Sequence, residues 1–389
     1  MITIPYARQE INQADIDAVV TVLRSDFLTQ GPAVPAFEKA VADHCGAQHA
    51  MAVNSATSAL HIACLALGVG KGDGVWTTPI TFVASANCAL YCGATVDFVD
   101  IDPRTYNISV DCLAEKLALA QKTGKLPKVV IPVHLCGQPC DMAGIHALSQ
   151  QYGFKIIEDA SHAIGGTYKN QPIGNSRYSD ITIFSFHPVK IITSGEGGMA
   201  VTNDSALDKH MRLLRSHGIS SNAEDMQPRP TQEIWNYQQI DLGFNYRMTD
   251  LNAALGFSQM QRIDEFVNKR QAISKRYDQL LSALPILTPW QHEDSYSAYH
   301  LYVIRLKLKE INKTQRQIYD AFYAAEIRVN LHYIPVYRHP YYKQMGFNMG
   351  YCPQAEQYYS EVISIPMYPG LTRDQQDFVI QTLGVALAE

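Results

Sequence analysis

Residues 181–202 read ITIFSFHPVKIITSGEGGMAVT, two apolar runs, ITIFSF (181–186) and GMAVT (198–202), joined by HPVKIITSGEG. A helical crossover between parallel strands needs about a dozen residues or more, so so short a link predicts an antiparallel pair. Lys190 sits in this link, close behind the first strand. An amine held there can be partly desolvated, which lowers its pKa and makes it a nucleophile toward carbonyls. Upstream, five further runs read as strands: AMAVN (50–54), VWTTP (75–79), TVDFVD (95–100), KVVIPVH (128–134) and KIIED (155–159). Amphipathic stretches long enough for crossover helices separate most of them: Thr57 to Leu67, Phe82 to Tyr91, Asp111 to Thr123 and Met142 to Tyr152. The alternation predicts an α/β fold on a mostly parallel sheet.

Downstream, Ser205 to Ser216 is expected to be helical, Asn222 to Gln239 irregular, and Thr249 to about Ala283 one long helix joining two units. Beyond Pro285 the run SYSAYHLYVIRL, a helix from Thr314 to Ala325, a strand around Arg328 to Tyr333 and a last helix from Arg373 to Leu387 predict a smaller α+β domain. The division expected is 1–265, with an N-terminal arm, and 266–389.

The composition narrows the partners. With 389 residues, 47% of them hydrophobic, the chain can bury a large core. Its 32 Lys and Arg against 37 Asp and Glu give a net charge of -5, which supplies no basic field for nucleic acid or an anionic membrane. The opening MITIPYARQE lacks a signal-peptide pattern, and no apolar stretch is long enough to span a bilayer, so the cytoplasm is the expected location. Eight cysteines are too sparse for a disulfide scaffold, and they read as free thiols. Cys136 and Cys140 lie near His134, but no second ligand pair follows at finger or ribbon spacing, so no metal is expected. A Walker A motif and a G-x-G-x-x-G after a strand are both missing.

Three more segments carry chemistry. In KIIEDASHAIGG (155–166), Asp159 ends a strand expected to be buried, where a carboxylate needs a cationic partner such as a protonated pyridine nitrogen. His162 follows it and can hold the Asp or touch a cofactor. In VNSATSALHIACLALG (53–68), small hydroxyl and amide residues precede a helix whose free N–H groups make a phosphate cup. In TTPITFVASAN (77–87), Phe82 follows a strand end and can stack on a planar ring. Singly, each feature is more often structural. Jointly they ask for a phosphate, a pyridine nitrogen, a flat ring and a carbonyl that forms an imine with lysine, all of which pyridoxal 5'-phosphate presents.

On these residues the chain resembles the DegT/DnrJ/StrS-type sugar aminotransferases, fold type I pyridoxal phosphate enzymes. Their pattern of E-D-A-x-[QH], F-S-F-x-x-x-K and G-E-G-G is matched by EDASH (158–162), FSFHPVK (184–190) and GEGG (195–198). The likeness runs from LTQGPAVPAFE (28–38) through GFNYRMTDLNAALGFSQ (243–259) to LHYIPVYRHPYY (331–342). The resemblance implies Lys190 as the cofactor-bound lysine and proton shuttle, and Asp159 as partner of the pyridine nitrogen. It further implies Phe82 as the stacking ring, Ala56, Thr57 and Ser185 as phosphate ligands, and His162 beside the cofactor. Asn245 in GFNYR is implied to reach the phosphate of a neighbouring subunit's cofactor, which makes a homodimer with shared sites.

Within the family, NSATSAL, TTPITFVASAN, SFHPVK and LHYIPVYRHPYY look most like members that aminate C4 of a UDP-linked 2-acetamido-2,6-dideoxy-4-keto-hexose of L-arabino configuration. Those members use L-glutamate as donor, pass through pyridoxamine 5'-phosphate, and make the 4-amino altrose sugar for pseudaminic acid. Tyr6, the stretch Asp26, Phe27, Leu28 and Thr29, and Leu331, His332 and Tyr333 are implied to line the sugar-nucleotide pocket. Alternatives are a different keto sugar and a non-catalytic sugar-nucleotide sensor. A deoxysugar dehydratase of this family has His in place of the lysine, which Lys190 argues against.

Overall fold

The computed structural model describes residues 3–228 and 233–388. Seven strands form the main sheet: β1 (His49–Val53), β2 (Gly74–Thr77), β3 (Thr95–Phe98), β4 (Val129–Ile131), β5 (Lys155–Asp159), β6 (Ile181–Ser185) and β7 (Gly198–Thr202). Their order is β1-β7-β6-β5-β4-β2-β3. The pairs within β3-β2-β4-β5-β6 are parallel, while β7 runs antiparallel to both β6 and β1. The mostly parallel sheet and the antiparallel pair expected from residues 181–202 are therefore both present. Because β1 opposes β7, it points the same way as β6. The carboxyl ends of β1, β2, β5 and β6 and the start of β7 thus meet at one edge, the edge where open α/β sheets build their sites.

Helices α1 (Gln13–Leu23), α2 (Ala33–Cys45), α3 (Ala56–Ala66), α4 (Ala84–Tyr91), α5 (Val110–Thr123), α6 (Met142–Tyr152) and α7 (Ser205–Arg215) accompany the sheet. Ser55, Ser109, Asp141 and Asp204 cap four of them by accepting from backbone N–H groups of the first turn. Side-chain alternation along the strands divides two cores. Met51 and Val53 of β1 face one, with α3 and α4; Ala50 and Ala52 face the other, with α2, α5 and α6.

The expected long helix is two helices, α8 (Asp250–Met260) and α9 (Ile263–Leu281), broken at Gln261 and Arg262. The break lets Arg262 reach the Asp15 carboxylate at 2.7 Å and Glu10 O at 3.3 Å. A third core lies on a three-stranded antiparallel sheet, β8 (Ile286–Leu287), β9 (Tyr302–Leu306) and β10 (Val362–Ile365), covered by α9, α10 (Gln315–Ala324) and α11 (Arg373–Ala388). The strand expected around Arg328 to Tyr333 is reduced to isolated bridges, Ile327 to Ile4 and Asn330 to Ser364. Ile4 is buried in this third core, so the N-terminal thread crosses to the C-terminal part of the chain. In Asn222 to Gln239 the described residues are irregular up to a two-residue strand, and 229–232 lie outside the described residues. Among the described residues no helix is long and apolar enough to cross a membrane.

Candidate active site

A cavity of about 470 Å³ opens at the carboxyl edge of the sheet. Its floor comes from strand ends. Asp159, the last residue of β5, is buried, and its carboxylate accepts from Ser85 Oγ at 2.7 Å and Ser161 N–H at 3.1 Å. Both donors are neutral, so among the described residues the buried charge has no cation at bonding distance. Lys190 stands in the loop after β6 and lines the same cavity. Burial disfavours its ammonium and lowers its pKa to about 8, against the opposing pull of Asp159.

At one end of the floor, α3 begins. Ser55 Oγ accepts from Ser58 N–H, which leaves the backbone donors of Ala56 and Thr57 at the helix N-terminus facing the cavity. Gly198 at the start of β7 is required there: a Cβ would lie 2.4 Å from Ser55 C and 2.5 Å from Ala56 N. Ser185 completes this end, and Phe82, 60% exposed, stands at the lip. Helix α4 starts two residues after Phe82, which leaves the ring outside the helical packing.

The wall comes from the C-terminal part of the chain and the N-terminal thread. Tyr6, His300, Asn330, His332 and Tyr333 line it. His162 Nδ1 accepts from Cys136 N–H at 3.3 Å, so the ring proton is assigned to Nε2, 3.3 Å from Tyr333 Oη. His332 Nδ1 meets Ser364 Oγ at 2.8 Å, and its ring lies 5.5 Å from that of Tyr6. Burial, then the charge of Lys190, lowers the pKa of His332 to about 3. Burial likewise keeps His162 and His300 well below the usual imidazole range, with Lys190 and neighbouring imidazoles adding to it. The wall is a set of neutral imidazoles beside one amine. Tyr333 is half-buried, and desolvation of its hydroxyl raises the phenol pKa and keeps it protonated.

Of the residues singled out from sequence, the cavity gathers Lys190, Asp159, Ala56, Thr57, Phe82, His162, Ser185, Tyr6, His332 and Tyr333. It does not gather Asn245, which is exposed with its backbone bridged to Ser216. Nor does it gather Asp26, Phe27, Leu28 and Thr29, which are exposed beside the start of α8, where Leu28 O accepts from Asp250 N–H. Leu331 packs against the third core while its neighbours on either side face the cavity. The sequence reading missed Ser85, one helical turn past Phe82, and His300, hidden in an aromatic run taken for strand. Cys136 and Cys140 are buried, and Cys140 Sγ lies 3.2 Å from Val133 O. Among the described residues no cluster of three His, Cys, Asp or Glu is arranged to hold a metal.

The sequence profile of the DegT/DnrJ/EryC1/StrS aminotransferase family matches residues 9–384. The chain belongs to this family. The spore coat polysaccharide biosynthesis protein SpsC of Bacillus subtilis is 39% identical over 383 residues, 98% of this chain and 96% of that protein. The UDP-4-amino-4,6-dideoxy-N-acetyl-beta-L-altrosamine transaminase of Campylobacter jejuni is 36% identical over 381 residues, 98% of this chain and 96% of the relative. Among solved structures, Helicobacter pylori PseC, an aminotransferase involved in pseudaminic acid biosynthesis, superposes with a TM-score of 0.90 at 29% identity, covering all of both chains.

Members of the DegT/DnrJ/EryC1/StrS family are pyridoxal phosphate enzymes, and this chain is a sugar aminotransferase with that cofactor. Three features fit the group: a buried carboxylate and a buried His300 Nδ1 that have, among the described residues, no cation and no hydrogen-bond partner respectively, and a helix N-terminus kept open by Gly198. A lysine at the cavity with a lowered pKa completes the set.

Proposed function

We propose that this aminotransferase moves the amino group of L-glutamate to C4 of UDP-2-acetamido-2,6-dideoxy-β-L-arabino-hex-4-ulose, giving UDP-4-amino-4,6-dideoxy-N-acetyl-β-L-altrosamine. The observation that carries the reading is the lysine and carboxylate cavity faced by neutral His and Tyr side chains. The full-length likeness to the Campylobacter transaminase supports it. Aminotransfer to another nucleotide-linked keto sugar is the second reading, favoured by the somewhat higher identity to the spore coat protein.

When bound, pyridoxal phosphate supplies the carbonyl that takes up nitrogen and the ring that accepts electron density. The chain's residues do the rest. Asp159, oriented by Ser85 and Ser161, holds a proton at the pyridine nitrogen. The N–H groups of Ala56 and Thr57, with Ser185, would hold the phosphate, and Phe82 at the lip would pack on the ring. Lys190 removes the proton from the donor's α-carbon and later delivers one to the sugar carbon. Its lowered pKa leaves much of the amine neutral near pH 8, as a base requires. Tyr333 Oη accepts from His162 and keeps its own proton for a sugar oxygen, while the neutral His332 offers hydrogen bonds without charge.

Residues 1–265 then carry the cofactor and 266–389 much of the acceptor wall. The exposed Asn245 serves the cavity of a second copy in a homodimer. The cytoplasm, where nucleotide sugars are made, is the proposed location.

The test loads the purified protein with nitrogen from glutamate and follows the cofactor absorbance while UDP- and dTDP-linked keto-hexoses are added singly. Recovery with the UDP-L-arabino 4-keto sugar alone is the expected result. Recovery with a different sugar overturns the substrate, and failure of glutamate to bleach the band overturns the donor.

A further inference from the structure

The helix Pro353–Glu361 contributes no side chain to the cavity, yet one of its residues holds the wall from behind. Tyr358 is fully buried, and its Oη donates to the His332 carbonyl O at 2.8 Å. Burial keeps this phenol well above its usual range, so the proton stays on Oη. The carbonyl it meets belongs to the peptide joining His332 to Tyr333, two side chains of the wall. Among the described residues, neither His332 nor Tyr333 makes a main-chain to main-chain hydrogen bond. The backbone is tied before them, where Asn330 and Ser364 exchange bonds of 3.2 and 2.7 Å, and after them, where Val336 N–H donates to Pro79 O at 2.9 Å. Between those ties the peptide itself hangs on Tyr358.

Tyr358 is anchored in turn by the segment that follows β3. The Asp100 carboxylate accepts from Gln354 N–H at 2.9 Å and Ala355 N–H at 3.0 Å, two first-turn donors that the helix cannot pair internally. At the other end, Arg305 of β9 donates to Glu361 Oε2 at 3.0 and 2.7 Å and to Pro103 O at 2.9 Å. Midway, the Tyr106 ring lies 4.6 Å from that of Tyr358. Residues 100–106 thus hold the helix at its start, middle and end. The peptide carrying Tyr333 takes its place from an element fastened to the main sheet.

We propose that Tyr358 is a positioning residue for the sugar half-reaction, a strut set by Asp100 that fixes Tyr333 at the acceptor wall. Neither residue touches the cavity, so both act only through the peptide they hold. The inference rests on residues 330–333 forming that wall.

The test follows the two half-reactions separately by cofactor absorbance, using holoenzyme and whichever keto sugar the wild type accepts. Tyr358→Phe should slow the sugar half-reaction about 5 to 10-fold, the loss of one hydrogen bond, and leave the glutamate half-reaction unchanged. Asp100→Asn keeps a weaker acceptor in place and should show the same split at about two to threefold. Added to Tyr333→Phe, the Tyr358→Phe substitution should cost less than about twofold more, because the two act through one side chain. In crystals of the Tyr358→Phe holoenzyme, Tyr333 Oη should leave its place 3.3 Å from His162 Nε2. Equal slowing of both half-reactions, losses that simply multiply in the double variant, or an unmoved Tyr333 each overturn the proposal. The crystals need no sugar: a wild-type enzyme that takes no keto sugar overturns the acceptor reading, while the position of Tyr333 still decides the strut.

Discussion

The floor and the wall of the cavity are built in opposite ways. The floor lies within residues 55–198, at the ends of sheet strands and the start of α3, and its key group, Asp159, is fixed by short hydrogen bonds to Ser85 and Ser161. The wall is assembled from Tyr6, His300 and residues 330–333, far apart in the chain and carried mostly by irregular backbone. Groups on sheet ends are held by the packing of the whole sheet, whereas groups on loops change without disturbing it. A floor that fixes the reaction and a wall that chooses the acceptor follow from that division.

The largest effect should come from the floor. Lys190→Ala is expected to lower turnover by about 10⁴-fold or more, the upper range for a lost acid–base group, in steady-state assays. Retention of turnover would put the proton transfers elsewhere. Asp159→Asn keeps the shape but removes the charge, and kcat should fall by about 10² to 10³-fold, as for loss of a preorganised electrostatic group. A loss confined to the sugar half-reaction would move Asp159 from floor to wall.

Next comes Gly198→Ala, whose Cβ meets the Ser55 and Ala56 backbone. The shift it forces, worth about 1–3 kcal/mol as overpacking, should weaken cofactor retention by about 10 to 100-fold in equilibrium dialysis. For the wall, Tyr333→Phe removes one hydrogen bond, and the sugar half-reaction should slow by about 5 to 10-fold while the glutamate half-reaction is unchanged. Equal slowing of both would erase the distinction between the regions.

The smallest effect is on pH dependence. Only the neutral Lys190 amine joins a carbonyl, so with its pKa at about 8 the rate of cofactor loading into the apoprotein should rise about fivefold from pH 7 to 8 and less than about twofold beyond. An ordinary lysine would give a continuing tenfold rise per pH unit in stopped-flow traces.

The same contrast governs what the sequence disclosed. Lys190 and Phe82 follow strands and Asp159 ends one, and a strand buried on both faces writes itself as an apolar run such as ITIFSF. The antiparallel β7 was legible from the length of one loop. The wall had no such grammar. His300 sits within an aromatic run whose pattern speaks of packing, and Ser85 is one more small residue in a helix of small residues. Leu331 was placed with its neighbours although alternation turns it into the third core. The break between α8 and α9 was invisible because apolar residues continue across it, and only contacts from Arg262 to the distant Glu10 and Asp15 reveal its use.

The N-terminal thread is held by its backbone. Ile4 N–H donates to Glu326 O at 3.0 Å, Ile4 O accepts from Arg328 N–H at 2.8 Å, and Tyr6 O accepts from Met367 N–H at 2.9 Å. Main-chain bonds are indifferent to the side chains they carry. The thread therefore offers evolution, or a protein engineer, a nearly free variable: position 6 can be rewritten to suit a new acceptor while its attachment to the rest of the molecule stays the same.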